Sequence, residues 1–353
     1  MLTRASAALL AALCLLAGTP HVKAAPTLLF DAATGKVFYA EDADRLWYPA
    51  SLTKIMTAYL TFEALKRGEV TFETKLVSSE NAAKEPPSKV GLPVGAEIPL
   101  ELGLKALIVK SANDVAVMLA EAVGGSVPAF VERMNATARR LGMSRTHYVN
   151  PNGLPIEGQL TTARDLARLS QAVMRDFPEH AHYWAMPDMR IGKRRLHSHN
   201  PLLRKFEGAD GIKTGFICDS GFNIVASATR DHARLVAIVL GSESAQDRNI
   251  RARSLLEHGF ESRAWKLFFT SDTIATLPVS TTSDEVTSIR DQVTGWSCGG
   301  RATARARERA RRREALQLRK QRLRQLREAK AAKAVAETPR SATAFPLPTA
   351  RPR

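Results

Sequence analysis

The chain has 353 residues, of which 44% are hydrophobic, and its 51 Lys and Arg against 35 Asp and Glu give a formal net charge of +16. Residues 301–353 hold 17 Lys and Arg against 4 Glu, a net of +13, which leaves +3 for residues 1–300. The 3 cysteines are too few for the disulfide framework of a small secreted module, so a hydrophobic core must stabilise the main part of the chain.

The N-terminus has the pattern of a secretory signal. Arg4 is followed by an apolar run over residues 5–16 and then by a small-residue exit at residues 22–24. The apolar run is shorter than the roughly 20 residues that span a bilayer. We therefore expect residues 1–24 to be removed after Ala24 and the mature protein to leave the cytoplasm.

Residues 25–265 have the mixed pattern of one domain. Two apolar runs around a Thr34-Gly35 turn predict a β-hairpin over residues 27–40. Helical spacing and capping residues predict helices at 51–68, 100–109, 115–123, 127–141, 161–177 and 245–260. Short apolar segments predict strands at 189–191, 212–217, 223–229 and 235–240. This order favours an α+β fold, with an antiparallel sheet and helices packed on it.

Three short motifs follow one another in this domain: Ser51-x-x-Lys54, Ser111-Ala112-Asn113 and Lys213-Thr214-Gly215. An S-x-x-K pattern alone says little, since about one is expected by chance in a chain of this length at average residue usage. K-T-G is expected only about 0.1 times. The three motifs in this order are a known combination in acyl-transfer enzymes that use a serine nucleophile.

The first motif suits the chemistry of acyl transfer. A serine hydroxyl that attacks a carbonyl must lose its proton to a nearby base. At a helix start, Ser51 and Lys54 would share one face, with Cβ atoms about 5–6 Å apart. Lys54 accepts a proton only when neutral, which at pH 7 costs about 4.6 kcal/mol from its ordinary pKa. Burial or a neighbouring cation, for which Lys213 is a candidate, would favour the neutral amine.

The other motif residues can serve the same reaction. Lys213 can also hold a substrate carboxylate, and Ser111 can relay a proton between the base and the leaving amine. Asn113 can hydrogen-bond the backbone of the substrate. The backbone N–H groups of Ser51, at the helix start, and of Phe216, on the following strand, are candidates for the two halves of an oxyanion hole.

Longer segments around these motifs resemble the low-molecular-mass penicillin-binding proteins, which are serine D-alanyl-D-alanine carboxypeptidases. The segments are YPASLTKIMTAY (48–59), KSANDVA (110–116), TTARDLA (161–167), GADGIKTGF (208–216) and GFNIVASAT (221–229). The similarity covers roughly residues 26–263. It implies the fold shared by penicillin-binding proteins and serine β-lactamases. It also implies that Ser51 becomes the acyl-enzyme, with Lys54 as proton acceptor and Ser111 as the third catalytic residue.

The resemblance also implies a substrate and a biological setting. Peptidoglycan stem peptides ending in D-Ala-D-Ala would be bound by Lys213, and their terminal carboxylate would be held with the help of Thr214 and Arg248. β-Lactams would act as covalent inhibitors, and no cofactor or metal is implied. The setting would be peptidoglycan biosynthesis and remodelling in the periplasm.

Two other functions stay open from the sequence. A β-lactamase is disfavoured because Ala112 stands where class A enzymes prefer Asp, and because no E-x-x-L-N segment precedes Lys213 to position a deacylating water. The second alternative is a catalytically silent homologue that binds the cell wall through its basic tail. It is disfavoured because all three motifs are intact.

Two further features receive plain interpretations. His197 and His199 alternate in an HSHN segment, but without further ligands nearby in sequence we interpret the segment as loop lining rather than as a metal site. Cys218 follows the third motif, and we interpret it as a small buried side chain. Whether it pairs with Cys298 stays open.

The remaining residues differ in composition from the domain. Residues 266–300 are rich in Thr and Ser and are predicted to be a linker. Residues 301–353 are predicted to be a partly helical or disordered arm, in which Leu316, Leu323 and Leu326 make a narrow stripe. The charge of the arm predicts contact with anionic lipid at the inner membrane or with wall polymer. A nucleic-acid partner is not expected, because the chain carries an export signal.

Overall fold

A computed structural model of the chain describes residues 25–280, 284–294 and 298. The predicted signal (1–24) and the basic tail (301–353) lie outside the described residues. The strands are β1 (Thr27–Asp31), β2 (Val37–Glu41), β3 (Lys75–Val77), β4 (Glu97–Pro99), β5 (Asp188–Ile191), β6 (Arg194–His197), β7 (Ala209–Ile217), β8 (Gly221–Arg230) and β9 (Ala233–Ser242). Five of them form one sheet in the order β2-β1-β9-β8-β7, and β3-β4 and β5-β6 form two small separate ladders.

Helices cover this sheet and form a second layer of the domain. They are α1 (Lys54–Lys66), α2 (Glu80–Lys84), α3 (Leu100–Lys105), α4 (Asn113–Gly124), α5 (Val127–Arg140), α6 (Ala163–Asp176), α7 (Ala181–Trp184), α8 (Leu202–Lys205) and α9 (Ala245–Phe269). Short 3₁₀ turns occupy Ala50–Thr53 and Pro178–His180, and a π-helical turn occupies Ala106–Lys110. All pairs in the five-stranded sheet are antiparallel, so the predicted α+β fold is confirmed.

The sheet is buried on both faces. Leu29 and Ala237 lie in one apolar cluster with Leu256 of α9. A Cβ on Gly259 would lie 2.8 Å from Leu235 Cδ1, so this glycine lets α9 approach the sheet closely. Since successive strand residues point to opposite faces, Ile238 points to the other face, where α6 packs, and it is fully buried as well.

The segment after α9 differs from the predicted linker. The helix extends beyond the predicted end at Phe260 as far as Phe269, and Ile274, Ile289 and Val293 of the following segment are buried. The backbone N–H of Ile289 donates to Asp219 O at 3.0 Å. These contacts are irregularly spaced backbone bonds and isolated apolar side chains, which leave no periodic signal in the sequence.

Arg164 of the TTARDLA segment holds part of this region. Its side chain is buried and forms two hydrogen bonds with the buried Asp44 carboxylate, at 2.6 and 2.8 Å. It also donates to the carbonyls of Ile274, Leu277 and Pro278 at 2.7–3.1 Å. One guanidinium therefore joins α6, the loop before the 3₁₀ turn and the segment after α9.

Among the described residues, no single helix is long and apolar enough to cross a membrane. Only α4 and α5 together, bent by 84° at their junction, have the length and composition of a membrane span.

Replacing Arg164 by Ala should lower the free energy of unfolding by about 3–5 kcal/mol, because the Asp44 carboxylate would stay buried without its guanidinium partner. Urea denaturation measures the change. Arg175→Ala, which removes an exposed pair with Asp176 on the same helix, is the control and should cost less than about 1 kcal/mol. Equal losses in the two variants would contradict the role given to Arg164.

Candidate active site

Ser51 lies in the 3₁₀ turn Ala50–Thr53, and the α-helix that the sequence predicts from Ser51 begins only at Lys54. In a 3₁₀ turn, side chains three residues apart lie above one another. This geometry brings the Lys54 Nζ to 2.9 Å from the Ser51 Oγ. The spacing of the first motif therefore produces a direct contact between the predicted nucleophile and its predicted base.

The Lys54 amine is almost completely buried, with 1% of the residue exposed. Besides Ser51 Oγ, it contacts Asn113 Oδ1 at 2.8 Å and the backbone carbonyl of Asn152 at 2.6 Å. Both of these oxygens can only accept hydrogen bonds. A neutral amine has two N–H bonds and one lone pair, so when the two N–H groups donate to these oxygens, the lone pair is directed at the Ser51 hydroxyl.

The charges around Lys54 favour this neutral state. Burial lowers the pKa of Lys54 well below its ordinary value, and the positive charge of Lys213 lowers it further. The carboxylates of Glu85 and Asp114 act in the opposite direction. The sequence suggested Lys213 as a neighbouring cation, and the structure places it where its charge acts on Lys54.

The second motif follows the π-helical turn, which interrupts the helix predicted over residues 100–109. Ser111 ends that turn in the left-handed conformation, with φ +60, and its side chain is buried. This sharp change of direction places Asn113 at the start of α4. The Asn113 Nδ2 donates to Pro86 O at 2.8 Å, which orients the amide so that Oδ1 faces Lys54.

The third motif lies on β7, the edge strand of the sheet. The Lys213 Nζ donates to Ser111 Oγ at 2.8 Å and to Thr214 O at 3.0 Å, so the second and third motifs are joined directly. Burial, together with the positive charge of Arg248, lowers the pKa of Lys213 to about 7. In this structure Ser111 is hydrogen-bonded to Lys213, whereas Lys54 is hydrogen-bonded to Ser51, the predicted nucleophile.

Gly215 allows β7 to pass alongside the nucleophile. A Cβ at this position would lie 3.0 Å from Pro49 O and 3.1 Å from Ser51 N. The backbone of β7 therefore runs directly beside the N–H of Ser51. Phe216, the other residue predicted for the oxyanion hole, is the next residue on this strand.

Arg248 and the HSHN segment lie at the edge of the site. Arg248 is buried in the first turn of α9, and its charge acts on Lys213. Its Nη2 lies 3.5 Å from the carbonyl of His199. His199 is within electrostatic range of Lys213 and Lys110, so the segment lines the same cationic region. Thr214 is buried next to Lys213 on β7.

Comparison with known proteins agrees with this geometry. A family model described as D-alanyl-D-alanine carboxypeptidase matches residues 15–244. The chain belongs to the D-alanyl-D-alanine carboxypeptidase family. The resemblance seen in the sequence is thereby confirmed.

Individual members of the family show how far the similarity extends. The D-alanyl-D-alanine carboxypeptidase DacA of Escherichia coli K12 is 36% identical over 251 residues, covering 69% of this chain and 62% of the relative. The chain thus spans less than two thirds of that relative. Penicillin-binding protein 5 of Haemophilus influenzae superposes with a TM-score of 0.66 at 34% identity, over 69% of this chain and 72% of that one. Penicillin-binding protein D2 of Listeria monocytogenes, solved in an ampicillin-bound form, gives 0.62 at 30% identity, over 69% of this chain and 99% of that one.

Two residues of the site were missed by sequence reasoning. Asn152 belongs to the NPNGLP segment, which the sequence indicates only as a loop. Gly153 beside it has φ +85, and a Cβ there would lie 1.8 Å from Ala50 O, so the loop packs directly on the turn of the nucleophile. The second is Glu85, which precedes a Pro-Pro pair and carries no motif. Its proximity to Lys54 is created by the fold alone.

The structure also shows the surroundings of Cys218 and of the HSHN segment. Cys218 is partly exposed and disulfide-bonded, so its interpretation as a small buried side chain is wrong. His197 contacts Arg204 through Nδ1 at 3.0 Å. Within the described part of the chain, no three His, Cys, Asp or Glu side chains are grouped as metal ligands.

The pH dependence of Ser51 acylation should report the state of Lys54. The rate should rise with pH as Lys54 loses its proton, since only the neutral amine can accept the proton of Ser51. In Lys213→Gln the acid limb should move to higher pH by about one unit, because a positive charge that lowers the pKa of Lys54 is removed. Stopped-flow acylation by a β-lactam at a series of pH values measures the limb.

The matched control is Lys75→Gln, which removes an exposed lysine paired with Glu97. This variant should leave the acid limb in place. A limb that stays unmoved in Lys213→Gln, or that moves to lower pH, would contradict the electrostatic coupling of the two lysines.

Proposed function

We propose that this protein is a serine D-alanyl-D-alanine carboxypeptidase that removes the terminal D-alanine from peptidoglycan stem peptides. The observation that carries the proposal is the buried Lys54 amine 2.9 Å from Ser51 Oγ, with both its other partners restricted to accepting. Such an amine is a base directed at one hydroxyl. A silent wall-binding protein would have no need of it.

The first half of the reaction follows from this arrangement. The Ser51 Oγ bonds to the carbonyl carbon of the penultimate D-alanine as its proton passes to Lys54. The N–H groups of Ser51 and Phe216 receive the charge that develops on the carbonyl oxygen. When the C–N bond breaks, the leaving amine takes a proton that originates from Lys54, with Ser111 as the relay, and terminal D-alanine departs.

The second half restores the enzyme. A water molecule passes a proton to Lys54 as its oxygen bonds to the ester carbonyl carbon, the bond to Ser51 Oγ breaks, Ser51 Oγ takes the proton from Lys54, and the shortened peptide leaves with a new terminal carboxyl group. Throughout, the terminal carboxylate of the peptide is attracted by Lys213 and Arg248, with Thr214 beside them, while Asn113 holds the substrate backbone. A β-lactam carbonyl would be attacked in the same manner, which makes β-lactams covalent inhibitors.

The test is the release of D-alanine from a synthetic acyl-D-Ala-D-Ala peptide, combined with mass spectrometry of the penicillin adduct. Wild type should release D-alanine and carry the adduct on Ser51, whereas Ser51→Ala should do neither, because among the described residues Ser51 has the only hydroxyl that is hydrogen-bonded to Lys54 Nζ. Ser254→Ala, at an exposed serine of α9, should behave as wild type.

Other outcomes would identify the alternatives. Rapid turnover of penicillin without a lasting adduct would indicate a β-lactamase. Absence of both adduct and D-alanine release in folded wild type would indicate a silent homologue.

We further propose that the mature protein is exported to the periplasm and lies peripherally on the inner membrane through residues 301–353. The signal pattern of residues 1–24 supports export. The net charge of +13 in residues 301–353 supports contact with the membrane, since each Lys or Arg close to an anionic lipid surface contributes about 1 kcal/mol.

The full chain should therefore sediment with vesicles that contain phosphatidylglycerol and be released by high salt, because salt screens the attraction. A chain ending at residue 300 and neutral phosphatidylcholine vesicles are the controls. Binding of the full chain to purified wall polymer but not to vesicles would replace the membrane with the wall as its partner.

A further inference from the structure

A buried asparagine of β8 connects the five-stranded sheet to the chain just before the turn that carries Ser51. Asn223 has none of its surface exposed, and its Nδ2 donates to the carbonyl of Tyr48 at 3.0 Å. Its Oδ1 accepts from the backbone N–H of Gly241 on β9 at 2.9 Å. A carbonyl can only accept and an N–H can only donate, so these two partners fix the orientation of the amide.

The position of Asn223 in the sheet directs its side chain at the turn. Asn223 lies directly opposite Gly215 in the antiparallel pairing of β7 and β8, so the two residues point to the same face of the sheet. On that face, a Cβ on Gly215 would lie 3.0 Å from Pro49 O and 3.1 Å from Ser51 N. The missing side chain thus lets the turn approach β7, while the amide one strand further in bonds the same segment.

A β-bulge supplies the second partner of this amide. The pairing of β8 with β9 is irregular at Asn223, where β9 contains one extra residue. Gly241 lies in this bulge with φ +77, and the ring of Trp47 packs against it so closely that a Cβ would not fit. The Trp47 Nε1 also donates to Ser220 O at 3.1 Å. The two residues before Pro49 are therefore both held to the sheet at this bulge.

The backbone of the turn needs this support. Ala50 is left-handed with φ +47, which is unfavourable for a residue with a side chain. Loss of the bond at Tyr48, two residues earlier, would let this backbone relax and move the N–H of Ser51 relative to β7. The Ser51 Oγ has a separate constraint, since it is hydrogen-bonded to Lys54 Nζ at 2.9 Å. The bond at Tyr48 therefore acts mainly on the N–H of Ser51.

We propose that Asn223 is a positioning residue of the predicted oxyanion hole. By bonding Tyr48 to β8, its amide sets the distance between the N–H of Ser51 and that of Phe216 on β7. Donors of an oxyanion hole stabilise the developing charge when they lie about 2.7–3.1 Å from the oxygen that carries it. The proposal rests on the proposed acylation of Ser51, and it concerns the carbonyl oxygen of the substrate rather than the proton of the hydroxyl.

The carbonyl of the acyl-enzyme reports on the hole directly, because hydrogen bonds to an ester carbonyl lower its stretching frequency. In Asn223→Ala, infrared difference spectra of the acyl-enzyme formed with penicillin, isotope-labelled at the β-lactam carbonyl, should show this band at higher frequency than in wild type. Acylation should be about tenfold slower, since a misplacement of about 1 Å can cost about 100-fold. The acid limb of the pH–rate profile should stay in place, because the partners of Lys54 are unchanged.

Gln171→Ala is the matched control. The Gln171 amide also donates to a backbone carbonyl, that of Ala32 at 3.1 Å, but Ala32 follows β1, which lies three strands away from β7 in the sheet. This variant should keep the carbonyl frequency and the acylation rate of wild type. If Asn223→Ala does not fold, Asn223→Leu, which has the branched shape of asparagine without its polar atoms, replaces it with the same expected result.

A carbonyl band at the wild-type frequency in the folded Asn223 variant would overturn the proposal, even if acylation were slower. A displaced acid limb with an unchanged band would place the effect at Lys54 and would overturn it as well. Both results are distinct from failure of the proposed function, in which wild type itself would form no acyl-Ser51.

Discussion

The rest of the site depends on the burial of one amine. Lys54 has 1% of its surface exposed, and the segments that enclose it come from the 3₁₀ turn, α4 and the loop at residues 150–154. An isolated buried ammonium is costly, so a buried lysine tends to become neutral unless a partner compensates its charge. Here the closest partners of the amine are two oxygens, which accept hydrogen bonds from both the neutral and the protonated amine. The amine is thus satisfied when neutral and still able to hold a proton for the short time that acyl transfer requires.

Close backbone contacts hold these segments together. Ala50 and Ser111, on either side of the amine, have φ of +47 and +60, which cost on the order of 1–3 kcal/mol each for residues with side chains. Gly153 and Gly215 pack against the turn of the nucleophile at distances that leave no room for a Cβ. The strain is offset by the packing of a sheet buried on both faces. A rigid sheet and tight glycine contacts therefore keep the Ser51 hydroxyl within hydrogen-bond distance of its base.

The same cations serve two purposes. Lys213 and Arg248 create a positive region suited to the carboxylate at the end of a peptide, and the repulsion between Lys213 and Lys54 disfavours the protonated form of Lys54. A substrate carboxylate that enters would partly neutralise this repulsion. Binding and base strength are consequently coupled, and the two carboxylates near Lys54 limit how far its pKa can fall.

The sequence alone predicted the candidate site residues: Ser51 and Lys54 three positions apart, a motif on a strand and another at a break between helices. It also predicted the α+β class, because strands and helices with regular periodicity leave a pattern in the chain. Glu85, Asn152 and the segment after α9 left no such pattern, since their contacts join positions distant in sequence through irregular loops. Only the tertiary structure decided that Lys54 is buried, which charges surround it, and that Lys213 bonds Ser111, because burial and electrostatic distance are properties of packing and not of local spacing.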